Sequence, residues 1–331
     1  MTAIYLAPIQ GITDRTYRTI FSSHFSGISK MFTPFEQADI EKKHRSFPLQ
    51  KILPPEINGI EVVPQLISSN PESFIETANF LFEEGFKEIN LNMGCPSPTV
   101  ANKGRGSGML QNPSIPEKFF SEISGRLNKP LSLKIRSGIR YHDELIEMSA
   151  VYNKFRFSEI IVHPRTLEQK YEGVADTGIF CRFITISSNP LIFNGDICSI
   201  EDYNHVINIT DAPGVMIGRG ILRNPFLAEE IAGGKEINHS EKLTRLKNFI
   251  DDMSEAYSSR LSGDSHYLDK MKELWLYQSG IFKDGKKFFK KLRKVHSKKN
   301  FLCMINEIFS SCPEIENSFQ RTNQNQYPEL Q

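Results

Sequence analysis

From Ile4 to about residue 232, short apolar runs alternate with stretches whose apolar residues recur every three or four positions. The runs Ile4–Pro8, Ile28–Phe32, Val62–Ile67, Glu88–Asn92, Leu131–Ile135, Glu159–His163, Leu191–Asn194 and Val215–Gly218 predict strands. Between them, Pro71–Glu84, Ile115–Leu127, Glu144–Phe155 and Glu201–Ile207 carry helical spacing. Strand–helix alternation predicts an α/β fold with a parallel sheet. Eight such units fit an eight-stranded parallel β/α (TIM) barrel, whose usual size is about 250 residues. A doubly wound open sheet is the competing arrangement.

Gly233-Gly234 punctuates this region, and beyond it the pattern is helical only. Leu243, Leu246, Phe249, Ile250, Met253, Ala256 and Tyr257 make one apolar helix face, and further helices are predicted over 266–282, 284–297 and 300–310. The expected organisation is a barrel over 1–235, a small all-α domain over 239–312, and a polar, Asn- and Gln-containing tail over 313–331 that does not fold.

Composition changes this picture little: 39% hydrophobic and 24% charged residues suit an ordinary buried core. The net charge of +1 carries no nucleic-acid signal for the chain as a whole, so any such signal must be local. Five scattered cysteines, with no Cys-x-x-Cys pair, point to neither a disulfide framework nor a zinc site. With no leader-like segment and no membrane-length apolar run, a reduced, cytoplasmic compartment and no metal are expected.

Side chains alternate across a strand, so the apolar Leu131, Leu133 and Ile135 face outward while Ser132, Lys134 and Arg136 face the barrel interior or its rim. The same parity turns Asn90 and Asn92 inward, places His163 with Ile161, and places Asn194 with Ile192. Each residue alone reads as a strand cap. Together they collect at C-terminal strand ends, where barrels keep their active sites, and that much buried polarity calls for a ligand.

Asn194-Gly195-Asp196 and Gly218-Arg219-Gly220 end the last two strands, the usual place for a phosphate grip, with Arg219 adding a charge-assisted contact. Gly104-Arg105-Gly106-Ser107-Gly108 lacks the dinucleotide spacing and reads as a mobile active-site loop. A lone cysteine is ordinarily a small buried hydrophobe, the reading for Cys181, Cys198 and Cys303. Cys95 differs because it opens a long Gly-, Ser- and Lys-containing loop at the catalytic end, where a thiol can be an acid, a nucleophile or a metal ligand.

Taken in order, Leu6–Asp14, Pro64-Gln65-Leu66, Asn90–Pro96, Lys134–Gly138, His163–Thr166, Asn194–Asp196 and Gly218–Gly220 resemble the tRNA-dihydrouridine synthases. The resemblance spans the whole barrel and implies FMN, NADPH as electron donor, and reduction of uridine to dihydrouridine. It implies that Pro8, Ile9 and Gln10 line the flavin through their backbone, that Gln65 hydrogen-bonds the ring, and that Lys134 and His163 stand beside it. Asn194, Gly195, Asp196, Gly218 and Arg219 would hold its phosphate, Asn92 would orient the uracil, and Cys95 would protonate C5. Gln10 departs from the pattern, where many members carry a smaller residue or an acid; this blurs the subfamily more than the activity.

Lys283–Lys299 holds nine Lys/Arg against one acid, Asp284. Lys283, Lys287, Lys290, Lys294 and Lys298 share helical spacing, a basic stripe that next to such a site reads as an RNA phosphate contact. Arg105, Arg136 and Arg165 are expected to join it at the mouth. The expected partner is tRNA and the expected state a monomer. The alternatives are a barrel flavoenzyme acting on a small enone or dihydroorotate-like molecule, which has no need of the basic helices, and a non-catalytic RNA binder, which has no need of Cys95 with Lys134.

Overall fold

The computed structural model describes residues 2–38 and 48–316. Its strands begin with β1 (Ala3–Leu6), β2 (Lys30–Phe32), β3 (Glu36–Gln37), β4 (Glu56–Ile57), β5 (Ile60–Val63) and β6 (Gln65–Ile67). They continue with β7 (Ile89–Met93), β8 (Leu131–Gly138), β9 (Ile160–Thr166), β10 (Leu191–Asn194) and β11 (Gly214–Ile217). All lie in one sheet, ordered β3-β6-β7-β8-β9-β10-β11-β1-β2-β5-β4, and only β4 and β5 pair antiparallel. The first strand pairs with the last, Ala3 opposite Gly214 and Leu6 opposite Ile217. A doubly wound sheet reverses its order at a switch point. Here neighbours follow chain order around a curled sheet, so that arrangement is excluded.

Each expected strand is present, with one difference. The run Val62–Ile67 is two strands, because Pro64 has no N–H to give a ladder. Before it β5 pairs with β2, and after it β6 pairs with β7. The Pro64 carbonyl still accepts from Asn90 N–H at 2.9 Å.

Parity sorts the side chains as the alternation predicts. Tyr5, Phe32, Val63, Ile161, Ile192 and Met216 form a small cluster on the inner face of the sheet. Ile4, Leu6, Met31, Leu133, Ile160 and Val215 belong to the larger core beneath the helices. Near the N-terminal strand ends the inner face is closed by Lys30, whose ammonium meets Glu88 at 2.7 Å and Glu159 at 3.1 Å, with Tyr5 donating to Glu159 at 2.8 Å. The opposite end is left for function.

After residue 235 the helices are His239–Arg260, Gly263–Gln278, Gly285–Leu292 and Lys298–Ser310. Leu246, Phe249, Ile250, Met253 and Tyr257 are buried along the first, as their spacing predicts. Gly234, with φ +64°, closes the helix Leu227–Gly233. Just behind it the buried Glu230 carboxylate accepts from Lys242 Nζ at 2.7 Å and Ile237 N–H at 3.0 Å. The expected tail starts as part of the fold: Ile315 bridges to Phe282, and Glu316 N–H donates to the Ile281 carbonyl at 2.8 Å. Residues 317–331 lie outside the described residues.

Candidate active site and basic face

Cys95 stands just past β7 on a loop fixed from three sides. Asn92 turns inward and its Oδ1 accepts the N–H groups of Gly94 (3.0 Å) and Cys95 (2.9 Å). Its Nδ2 donates to Gln65 Oε1 at 2.7 Å, while Gln65 Nε2 donates to Asn90 Oδ1 and Asn90 Nδ2 to Ser132 Oγ. Asn92 thus uses its Oδ1 to build the cysteine loop, and its Nδ2 has one N–H left over. Gln65 keeps one N–H for a ligand.

The glycine-rich stretch expected to be a mobile loop is instead packed. Gly106–Leu110 is a buried 3₁₀ turn, and Ser107 gives both its N–H (3.2 Å) and its hydroxyl (2.7 Å) to the Cys95 carbonyl. The glycines are there for contact: a Cβ on Gly106 would stand 3.1 Å from Cys95 Cβ, and one on Gly108 would stand 2.3 Å from the Ala101 carbonyl oxygen.

Around the thiol the field is positive. Burial pushes the Cys95 thiol above its usual range, against the opposing pull of the Ser97 N–H, Arg136 and Lys134. It is a protonated, half-buried S–H at neutral pH. Burial, then Arg136, lowers Lys134 to about 7. Among the described residues no carboxylate pairs with Lys134. His163 is driven well below its ordinary value by burial and then by Arg136, Lys134, Arg165 and Arg219. It is a neutral imidazole, and because Arg165 Nη1 can only donate to Nε2 (3.2 Å), its proton sits on Nδ1.

Two of the three arginines expected to meet RNA at the mouth are inside. Arg165 is 0% exposed; it donates to the Glu172 and Gly173 carbonyls and, at 2.6 Å, to Asp196. Arg136 is 2% exposed and caps the carbonyls of Gly94, Thr166 and Lys170. Both are loop ties, because folded carbonyls outcompete water for a buried guanidinium. Arg105 alone stays at the surface, donating to Gln37 Oε1 at 3.2 Å.

The expected phosphate side is assembled, with one change of role. Asn194 Nδ2 donates to the Met216 carbonyl at 2.7 Å. Gly195 and Gly218 are set by neighbours: a Cβ would fall 2.7 Å from Ala175 Cβ and 3.3 Å from Ala7 Cβ respectively. Asp196, with φ +49°, accepts at Oδ2 from Arg165 and from Ala175 N–H, leaving its buried Oδ1 without a hydrogen bond, 3.7 Å from Arg219 Nη2. A carboxylate repels phosphate, so the Asp196 side chain orders the arginines instead.

The stretch after β1 is half-buried at Pro8 and Ile9 and exposed at Gln10. Ile9 N–H is taken by Thr13 Oγ1 at 2.8 Å, which leaves the Pro8 carbonyl and Gln10 N–H for a ligand. The C-terminal helices hold this loop: Lys270 Nζ donates to the Gly11 carbonyl, Arg260 meets Asp14 at 3.0 Å, and Tyr257 OH donates to Asp14 at 3.2 Å.

The basic stripe is shorter than its spacing predicts. The helix stops at Leu292, Val295 is buried in the turn, and Ser297 caps the next helix. Lys283 pairs with Glu314 at 2.7 Å, and Lys298 donates to Ser258 with its ammonium over the Tyr267 ring. Lys287, Lys290 and Lys294 remain exposed and, among the described residues, unpaired, as do Lys286, Lys291 and Arg293. Cys303, expected to be buried, is exposed beside this face.

One mouth residue escaped the sequence reading. Tyr171 lies with its ring 5.5 Å from the Arg136 guanidinium, 5.1 Å from that of Arg219 and 6.3 Å from the His163 ring. Loop residues carry no periodicity, so only its distance of a few positions from His163 hinted at it.

The chain matches the family model described as Dihydrouridine synthase (Dus) over residues 5–312. It is 30% identical over 225 residues to tRNA-dihydrouridine synthase B of Pasteurella multocida, covering 68% of this chain and 67% of the relative. The synthase B of Escherichia coli is 30% identical over 228 residues, covering 68% and 70%. Among solved structures, histamine dehydrogenase from Rhizobium sp. 4-9 superposes with a TM-score of 0.50 at 12% identity, over 70% of this chain and 46% of that one. At that identity the likeness is one of fold.

Proposed function

The chain belongs to the dihydrouridine synthase family, and from that premise we propose that it reduces the C5=C6 bond of uridines in tRNA to give 5,6-dihydrouridine, with FMN as its cofactor and NADPH as electron donor. The observation that carries the reading is the braced, protonated Cys95 thiol within the field of Lys134 and Arg136. The sheet is read as a closed eight-stranded barrel whose third stave is residues 60–67 bent at Pro64, and the helices after residue 239 as a tRNA-binding domain working as a monomer in the cytoplasm.

A flavin fits the residues present. Lys134, Arg136, Arg165 and Arg219 all act on His163, and among the described residues Asp196 is the one carboxylate paired with them, so the site has an excess of positive charge that an anionic group would balance. Pro8 O, Gln10 N–H and the second N–H of Gln65 would meet the ring, with Lys134 and His163 beside it. Arg219 and the backbone around Gly195 and Gly218 would take the phosphate. Bound there, FMN supplies the hydride for uracil C6.

The chain's own groups do the rest. Adding hydride at C6 leaves negative charge on C5 and O4, and Cys95, still carrying its proton, can give it to C5. Lys134 can bear a positive charge in a dry site, where it stabilises developing anionic charge strongly. Asn92 sets the position of the thiol through the Gly94 and Cys95 N–H groups. Tyr171 offers a ring and a hydroxyl at the entrance. A small-molecule reductase accounts for none of the unpaired cations at Lys286–Lys294. The proposal is tested by comparing tRNA from cells with and without the protein: a uridine mass gain of 2 Da that depends on it is expected, and unchanged tRNA would refute the reading.

A further inference from the structure

Beyond β8 the chain forms a short loop that is held on both sides. The Glu144 carboxylate accepts the N–H groups of Ile139, Arg140 and Tyr141. From the loop after β9, Leu167 N–H donates to the Gly138 carbonyl at 2.9 Å and Glu168 N–H to that of Ile139 at 3.1 Å, while Arg140 pairs with Glu168 at 3.3 Å. Yet the side chain this framework displays is left in water: Tyr141 is 70% exposed. Among the described residues it is the most exposed large hydrophobic side chain, followed by Val174 at 60%, on the loop that also carries Tyr171 at 43%. Both loops leave the strand ends that carry Lys134, Arg136 and His163.

We propose that Tyr141 is a stacking platform for an unpaired nucleobase flanking the target uridine. This rests on the tRNA reading above. Drawing a uridine out of its stack unstacks its neighbour as well, at a cost of a few kcal/mol per nucleotide. An aromatic ring on a fixed loop at the rim restores a stacking partner to that neighbour, whatever its identity, since every base presents a π-face. The loop's own charges are spent, Arg140 on Glu168, so it is not organised to bind phosphate. An isolated exposed tyrosine needs no explanation. A tyrosine on a backbone held by five hydrogen bonds, one loop away from Tyr171 and the reaction centre, is a prepared surface.

The test uses the flavin-loaded full chain and tRNA transcripts, comparing wild type with Tyr141→Ala and Tyr141→Phe. Tyr141→Ala is expected to lower kcat/KM for RNA about 5- to 100-fold, mainly through KM. The loss should be the same at low and high salt, because stacking releases no counterions, and Tyr141→Phe should restore most of it. Full RNA activity in Tyr141→Ala beside an active wild type overturns the platform alone. So does a loss that appears instead in NADPH-driven flavin reduction without RNA, which would assign the ring to the electron donor. A wild type that reduces flavin but leaves tRNA untouched overturns the tRNA reading together with the platform, and the wild-type control shows this separately.

Discussion

Lys134 and the pair Lys287 and Lys290 carry the same ammonium group, and the molecule treats them in opposite ways. Lys134 lies on the inner face of β8, burial lowers it to about 7, and no described carboxylate offsets it. Lys287 and Lys290 project from a helix that buries only Gly285 and Leu292, and they meet water. A buried cation costs stability but acts through a low dielectric, so it can steer a reaction. An exposed cation costs little and acts by releasing counterions from a polyanion, so it lends affinity without chemistry. On the proposed reading, reactivity and attraction would rest on separate lysines.

Removing the reacting proton is the largest break in that division. Cys95→Ala should lower turnover about 10²–10⁴-fold while flavin content and tRNA affinity stay at wild-type levels. Single-turnover uridine reduction reads the first, and a binding titration the second. Retained turnover would place the acid elsewhere.

Next in size is the other side. Reversing both Lys287 and Lys290 to Glu should weaken tRNA binding roughly tenfold or more and reduce the slope of log affinity against log salt by about 2, since each phosphate contact contributes about 1. Flavin reduction by NADPH should be untouched. An unchanged slope would remove this face from the RNA interface.

Lys134 tests the stability side of the comparison. Its folded pKa lies below its unfolded value near 10.5, so it binds fewer protons when folded between about 7 and 10.5. It therefore lowers stability, fully below pH 7, and that penalty fades as pH rises toward 10.5. Lys134→Met should stabilise the flavin-free protein at neutral pH by about 1–4 kcal/mol, as replacing buried ions often does, while weakening FMN binding. In the wild type, FMN affinity should fall as pH rises through about 7; a flat profile in both proteins would show that Lys134 does not meet the cofactor.

The smallest expected effect sharpens the thiol's side. Ser107→Ala removes one of two hydrogen bonds to the Cys95 carbonyl, worth about 1 kcal/mol, and should lower kcat a few-fold with KM for RNA unchanged.

How far residues alone revealed this depends on what fixes each feature. Inward and outward parity is a local property of a strand, so Asn90, Asn92, Lys134 and His163 were legible as a converging set. The split at Pro64 was legible in principle, since the residue cannot donate, but Val62–Ile67 reads as one apolar run. Arg136 and Arg165 were misplaced because an arginine's depth depends on which carbonyls the loops bring over it, and those belong to Gly94, Thr166, Gly173 and other distant positions. The glycines of 104–108 read in sequence as freedom yet serve close packing, a distinction that needs Cys95 and Ala101 in place. The basic stripe is cut because the helix ends at Leu292 and Ser297 caps the next one, so Lys294 and Lys298 do not continue its face.

The ties from Lys270, Arg260 and Tyr257 fasten the later helices to the loop after β1, and the buried Glu230–Lys242 pair fastens them to the helix Leu227–Gly233. Through these ties the helices after residue 239 are docked against the end of the sheet from which the β1 loop leaves. If the basic face grips RNA as proposed, such a scaffold would offer to the thiol only a nucleotide within its reach, as a gauge measures length.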